Sequence, residues 1–311
     1  MNIHQFKYIL ALAETRHFEN AAERCHITQS TLSTMISKFE DELGILVFDR
    51  RKKPVEITAE GLKLIEQLKR IDKEIGQLEE ISQEIKGELK GELSISVIPT
   101  VAPTLLPLFL SSFAEKFPRL QIQVKEQTTA EIVRQIKSRE LDIGLVSIPL
   151  NEKDIKEYPL YDEPFVFYDK QHIGSKKIDA KSLNLDNLCL LEDGHCLRSQ
   201  VLELCDIHHK LSDIESNVLY NAGSIDSLMR YVKANRASTL LPLLSTHDMP
   251  KEDRSHLLNF NEPIPYRTVG IIVHQHFVRN KVLNLLSQEI QEKVGYILPA
   301  LQLQGKQLNP V

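Results

Sequence analysis

Between Thr58 and Gly87, the aliphatic residues Ile65, Leu68, Ile71, Ile75, Leu78 and Ile85 recur at spacings of mostly three and four. That is the seam of one amphipathic helix. From Ala59 to Lys86 such a helix reaches roughly 40 Å at the α-helical rise. One apolar stripe of that length cannot face water, so it needs either a second copy or the body of its own chain. Thr58 is placed to cap its start, and Gly87 and Gly91 end it. The chain is thereby divided into 1–58, a linker helix over 59–90, and a larger part over 91–311.

Ahead of the helix, Phe6, Ile9, Leu10 and Ala13 mark a first amphipathic helix, and Glu19 to Arg24 a second. The polar cluster His26 to Ser30 opens a third, whose buried side is predicted to carry Leu32, Ile36, Phe39 and Leu43; Gly44 stops it. After Val47 and Phe48, the run Asp49-Arg50-Arg51-Lys52-Lys53-Pro54 leads into the alternating Val55-Glu56-Ile57-Thr58. This is the pattern of a helix-turn-helix with a wing. A recognition helix presents short polar side chains to base edges while basic loops hold phosphates. Thr28, Gln29, Ser30, Thr31, Ser33, Thr34 and Lys38 are the candidates for the helix, and Arg50, Arg51, Lys52 and Lys53 for the phosphates. The net charge of −5 and the eight basic against nine acidic residues in 1–60 mean that duplex DNA must be met by placement rather than bulk charge.

Beyond Gly91, strand-like and helix-like segments alternate, as in an α/β fold. Leu93 to Pro99, Leu120 to Glu126, Leu141 to Ile148 and Val269 to Val273 read as strands, and Thr104 to Phe117 and Ala130 to Ser138 as helices. Glu163-Pro164 is expected to interrupt before Phe165 to Tyr168. The late return of a strand implies an inserted second lobe, hence lobe I over 91–162 and 268–300, lobe II over 163–267, and a cleft between them. Lys7, Glu14 and Arg16 break the N-terminal apolar pattern, so neither a signal peptide nor a membrane span is expected. Cys25, Cys189, Cys196 and Cys205 are too few for a secreted disulfide framework. A cytoplasmic protein with free thiols and no membrane partner is the expectation.

Phe18, Ala21-Ala22, Thr28-Gln29-Ser30-Thr31-Leu32-Ser33, Ile36, Glu40, Leu43-Gly44, Phe48-Asp49-Arg50 and Thr58-Ala59-Glu60-Gly61 resemble the signature of LysR-type transcriptional regulators. The resemblance implies a multi-domain α+β chain: a winged helix-turn-helix over 1–58, a dimerising linker helix over 59–90, and a two-lobed effector domain like periplasmic binding proteins over 91–311. It also implies tetramers joined through the regulatory domains, an operator in double-stranded DNA and contact with RNA polymerase. Phe39 stands where Leu is usual, and Asn235-Arg236-Ala237 where a Gly-containing turn is usual.

Within lobe II, Leu190-Leu191-Glu192-Asp193-Gly194-His195-Cys196-Leu197-Arg198, followed by Cys205, resembles the peroxide-sensing OxyR subgroup of that family. The resemblance implies that Cys196 reacts with hydrogen peroxide and Cys205 resolves it as a disulfide. Thr100, Thr129, His195 and Arg267 then line the peroxide pocket, and a glutaredoxin or thioredoxin type of reductant resets the thiols. If Asp193 caps a helix, its dipole with His195 and Arg198 favours the thiolate that peroxide attacks. Residues 196 and 205 on one helix would hold the two Cα atoms about 13.5 Å apart along the axis, so the helix would have to unwind before they could join. Competing readings are a regulator answering a small organic effector or a metal ion in the cleft, the latter through Cys196, Cys205, His208 and His209, and an enzyme such as a thiol peroxidase. The DNA-binding module argues against the enzyme. Neither a resident cofactor nor a metal is expected.

Overall fold

A computed structural model describes residues 1–85, 89–174, 177–183, 187–205, 220–298 and 305–310. The chain divides into two compact units, Met1–Lys86 and Gly87–Val311.

In the first unit, α1 (Ile3–Thr15), α2 (Phe18–Arg24) and α3 (Gln29–Leu43) precede a two-stranded wing of β1 (Phe48–Asp49) and β2 (Glu56–Ile57), and α4 (Ala59–Ile85) follows. Asn2 and Gln5 close a capping box on α1. Thr28 caps α3, and Gly44, at φ 66°, ends it in the left-handed region. Thr58 Oγ1 accepts the Gly61 amide at 2.9 Å, capping α4. Gly61 is required there: a Cβ would lie 2.3 Å from the Val47 carbonyl oxygen. Leu32, Ile36 and Phe39 pack with Phe6, Ile9 and Leu12 in the core, which Ile65 and Leu68 of α4 also enter. Farther along α4, Leu78 is 67% exposed. Leu43 does not join the core as its spacing predicts; it is exposed, and Glu40 is buried instead. Glu40 turns inward because Oε1 accepts the Val47 and Phe48 amides, at 2.8 and 3.1 Å, tying the helix to the wing.

In the second unit, β3 (Gly91–Val97), α5 (Ala102–Lys116), β4 (Leu120–Glu126), α6 (Thr129–Lys137) and β5 (Ile143–Ile148) wind a parallel sheet. Strand β6 (Ile155–Asp169) then leaves for the other lobe. There β7 (Lys177–Ile178), β8 (Leu190–Leu191), α7 (Cys196–Cys205), β9 (Asn221–Ala222), α8 (Ile225–Asn235), β10 (Ser238–Pro242), α9 (Lys251–Arg254) and β11 (Leu257–Phe260) follow. The chain returns on β12 (Ile264–His274), α10 (Asn280–Gly295) and β13 (Gly305–Gln307). The first lobe's sheet runs β4-β3-β5-β12-β6, with β13 beside β12; β6 continues beside β10 and β11 in the second. Each lobe has its own apolar cluster, and Cys196 belongs to the first although its helix follows second-lobe strands.

The structure overturns one expectation. Pro164 does not interrupt the chain; β6 is continuous through it. Pro164 is the last residue paired with β12 and Phe165 the first paired with β10, so the missing N–H falls where the ladder changes partner. At the end of α8 the left-handed position that a glycine usually takes is held by Arg236, at φ 52°.

Candidate functional site

In the first unit, Thr28, Gln29, Ser30, Thr31, Thr34 and Lys38 are exposed along α3, and Ser33 is half-buried. Hydroxyl contacts order the start of the helix: Thr28 Oγ1 lies 3.0 Å from Ser30 Oγ and 2.8 Å from Thr31 Oγ1, and Thr34 donates to the Ser30 carbonyl at 2.9 Å. Arg50 is exposed, but its guanidinium reaches back onto α3. Its guanidinium pairs with buried Glu40, donates to Ser37 Oγ at 2.8 Å and lies 5.5 Å over the Phe18 ring. Arg51 pairs with Asp49, which it holds below the ordinary carboxylate range through side-chain and backbone hydrogen bonds. Lys52 pairs with Glu56, and Lys53 is exposed. The four basic residues of the loop are therefore not equivalent.

In the second unit, Cys196 opens α7 and is 5% exposed. Its sulfur lies 3.8 Å from Thr100 Oγ1. Arg267, fully buried on β12, donates from Nη1 to Thr100 Oγ1 and from Nη2 to the Thr100 carbonyl, both at 3.0 Å. With its oxygen so occupied, the Thr100 hydroxyl hydrogen is free to point at the sulfur. Glu163 balances the guanidinium, and Oε1 of Glu163 accepts the Leu244 amide at 2.9 Å. Burial pushes the Cys196 thiol up. The Arg267 charge, the Thr100 hydroxyl and the Leu197 amide pull against that without overcoming it. The balance of these effects leaves the thiol pKa above its ordinary value, whereas the sequence led to the expectation of a helix dipole with His195 and Arg198 lowering it.

The supporting residues also differ from expectation. Asp193 does not cap α7, which starts three residues later; it pairs with Arg198 at 2.7 Å. Arg198 is further occupied by the Leu191 carbonyl at 2.9 Å and Asn221 Oδ1 at 3.2 Å, so Arg267 is the cation that acts on the sulfur. His195 is buried beside Cys196, with Nε2 3.8 Å from Glu192 Oε1.

Among the described residues, three buried side-chain atoms lack a hydrogen-bond partner: Thr129 Oγ1, Tyr161 Oη and Gln200 Oε1. Thr129 begins α6, whose cap Thr128 has its methyl 3.9 Å from where a Cβ of Gly194 would sit. The start of α6 thus abuts the loop that delivers Cys196. An unpaired buried hydroxyl is costly, so Thr129 Oγ1 has hydrogen-bonding capacity that its described neighbours do not use. Tyr161 lies two residues before Glu163 on β6, and its phenol is held well above its ordinary range by burial, with a further push from Glu163. Neither Tyr161 nor Gln200 was singled out by sequence reasoning, and Glu163 only as part of the expected Glu163-Pro164 break. For Gln200 a signal existed: it stands one helical turn after Cys196, on the same face.

Among the described residues no group of three or more His, Cys, Asp or Glu side chains could hold a metal ion. His208 and His209 lie outside the described residues, as does the Cys205 side chain. Among those described, no helix is long and apolar enough to cross a membrane.

Residues 3–62 match the helix-turn-helix model of the lysR family of bacterial regulatory proteins, and residues 86–295 match the LysR substrate binding domain. The hydrogen peroxide-inducible genes activator of Pectobacterium carotovorum subsp. carotovorum is 34% identical over 275 residues, 88% of this chain and 90% of that protein. The DNA-binding transcriptional dual regulator OxyR of Escherichia coli K12 is also 34% identical, over 88% of this chain and 89% of its own. A full-length OxyR variant of Pseudomonas aeruginosa superposes with a TM-score of 0.70 at 30% identity, covering 94% of this chain and 98% of its own. A hydrogen peroxide-bound OxyR mutant of Corynebacterium glutamicum gives 0.61 at 26%, covering 95% and 93%. The two family models together span most of the chain, and the relatives are similar to it along nearly their full lengths: the chain belongs to the LysR family of bacterial transcriptional regulators, in its OxyR branch.

Proposed function

We propose that the chain is a peroxide-responsive transcription factor in which Cys196 is the sensing thiol and Cys205 its resolving partner. The observation that carries this reading is the Cys196 environment: a buried sulfur beside the Thr100 hydroxyl, which itself accepts from the paired Arg267 guanidinium, at the start of a helix that ends on Cys205.

The chemistry balances without a cofactor. The Cys196 thiolate attacks one peroxide oxygen, the O–O bond breaks, and hydroxide leaves as the sulfenic acid forms; the proton given up by the thiol converts that hydroxide to water. The Cys205 thiolate then attacks the sulfenic sulfur, forming the disulfide and expelling hydroxide, which the proton given up by the Cys205 thiol converts to a second water. Thr100 and Arg267 stabilise the attacking sulfur, while the Thr129 hydroxyl and His195 line the space for peroxide. Nine helical steps separate the two Cα atoms by about 13.5 Å along the axis, against the roughly 4.4 to 6.8 Å that a disulfide spans. Linking the sulfurs thus requires α7 to unwind, and oxidation selects another arrangement of 197–204.

In this reading α3 enters the major groove of a duplex operator, and α4, with Leu78 exposed on it, joins two copies. Regulatory domains complete a tetramer that addresses RNA polymerase, and a dithiol reductant resets the pair. Mass spectrometry of the purified chain before and after brief peroxide tests the reading. Two thiols should disappear reversibly, with a Cys196–Cys205 linked peptide; a Cys196→Ser variant should still bind DNA but no longer answer peroxide. A linked peptide without Cys196, or an unaltered response in that variant, rules the mechanism out.

A further inference from the structure

Helix α7 and the stretch formed by β13 and the residues after it meet in a way that the sensing chemistry does not use. Gln200 and Glu203 both stand on α7, and both bind the Gly305–Pro310 stretch. Gln200 Nε2 donates to the Leu308 carbonyl at 3.2 Å and to Ser147 Oγ on β5 at 3.0 Å. The amide orientation is fixed by this pair, since a flipped Gln200 would set its oxygen against the Leu308 carbonyl. Glu203 Oε2 accepts the Asn309 amide at 2.9 Å, and Lys306 Nζ lies 3.9 Å from Glu203 Oε1.

The same stretch is anchored at its other side to the strand that carries Arg267. β13 pairs in parallel with Ile264 to Tyr266 of β12, the Leu308 amide donates to the Tyr266 carbonyl at 2.8 Å, and Gln307 Nε2 donates to Thr268 Oγ1 at 3.0 Å. Leu308 is fully buried in the second lobe's core. One short stretch therefore spans from the strand holding Arg267 to the helix holding Cys196.

We propose that Gly305–Pro310 is a latch on α7: in the reduced protein it holds the helix closed, and its release accompanies unwinding. Gln200 and Glu203 lie between the two cysteines in sequence, so an unwound 197–204 cannot keep both contacts. The latch sets how readily α7 opens, and hence how fast oxidised Cys196 reaches Cys205, without touching the first reaction with peroxide. Its consequence for disulfide formation rests on the proposed sensing function; its hold on the helix does not.

Hydrogen exchange by mass spectrometry on the full reduced chain tests the hold directly. Two variants are informative. Asn309→Pro removes the donor to Glu203, and Glu203→Ala removes the acceptor while introducing the best helix former. Helix propensity alone predicts that Glu203→Ala slows exchange in α7, whereas the latch predicts that it quickens it, by about tenfold or more for the loss of one hydrogen bond to a charged acceptor. The quickening should be confined to α7 and 305–310 in both variants, and Lys306→Ala, which removes only an exposed ion pair, should change little. Unaltered or slower exchange in α7, or an increase spread over the whole domain, overturns the latch. With peroxide, both variants should form the linked peptide faster while losing the first thiol at the wild-type rate; an unchanged rate of linking overturns the regulatory role. If the wild type forms no linked peptide, the sensing reading fails, and exchange in the reduced protein alone decides the latch.

Discussion

Glu163 Oε2 receives two donors from Arg267, Nε at 2.9 Å and Nη2 at 2.8 Å, and both side chains are 1% exposed. Strand register brings them together, since Arg267 of β12 is paired with Glu163 of β6. Removing either member leaves a buried charge uncompensated, which costs about 3 to 5 kcal/mol. Arg267→Met and Glu163→Gln should each lower stability by about that amount in urea denaturation, and the double variant by less than their sum. Their effects on the thiol should be opposite. Arg267→Met removes the cation facing Cys196 and slows its oxidation; Glu163→Gln leaves that cation unbalanced and quickens it. Equal rates in the two variants would show that Arg267 does not act on the sulfur.

Burial holds the Cys196 thiol above its ordinary pKa, with Arg267 only partly offsetting it. Peroxide attacks the thiolate, so the second-order rate should climb about tenfold per pH unit and level off only above the ordinary thiol range. The effect on stability has the opposite sign. A group whose folded pKa is raised contributes stability that is complete below its unfolded pKa and is lost as pH rises through the folded one. Cys196→Ser should therefore flatten the alkaline fall of the urea midpoint while abolishing the pH-dependent rate. A rate that is flat across neutral pH would mean that the sulfur is already ionised at rest.

Thr100 and Thr129 look alike in the sequence but stand in different hydrogen-bond positions. Thr100 accepts from Arg267, so Thr100→Val strands a buried guanidinium N–H and should destabilise the domain by about 1 to 3 kcal/mol. Thr129 Oγ1 has no partner among the described residues, so Thr129→Val should be neutral or stabilising in thermal unfolding. Both should slow thiol loss, by about tenfold for one hydrogen bond to the reacting oxygens. A Thr129→Val variant that reacts at the wild-type rate would remove that hydroxyl from the pocket.

How much of this could be read in the residues depends on whether the cause is local. Thr28, Gly44 and Thr58 end or begin helices through their own backbone chemistry, and the structure places them so. The spacing that put Cys196 and Cys205 on one segment also needs only chain-local reasoning. Pair choice among charges does not. Arg198 is two residues from Cys196 yet is taken by Asp193 and Asn221, whereas Arg267, far along the chain, reaches the site through strand register. Glu40 and Leu43 exchanged their expected burial for the same reason: the unpaired amides of Val47 and Phe48 are visible only once the wing is folded against α3. Pro164, a breaker by composition, is tolerated because the sheet changes partner there.

Arg50 and Lys53 lie in one basic run, but the structure separates their roles. Arg50 spans from the wing to Ser37 and Glu40 on α3 and covers Phe18, so it fixes the recognition helix against the wing. Arg50→Ala leaves the buried Glu40 carboxylate without its cation, which should lower the stability of the first unit by about 1 to 3 kcal/mol. DNA affinity should fall with it while the dependence on salt stays close to wild type, because no phosphate contact is lost. Lys53→Ala should do the reverse: little change in stability, weaker binding to every sequence, and a salt slope smaller by about one. Fluorescence anisotropy with a duplex oligonucleotide over a salt series, set beside urea unfolding of each variant, separates the two. If Arg50→Ala reduced the slope as much as Lys53→Ala, the guanidinium would have to leave Glu40 for a phosphate when DNA binds, and its role as an internal tie would be wrong.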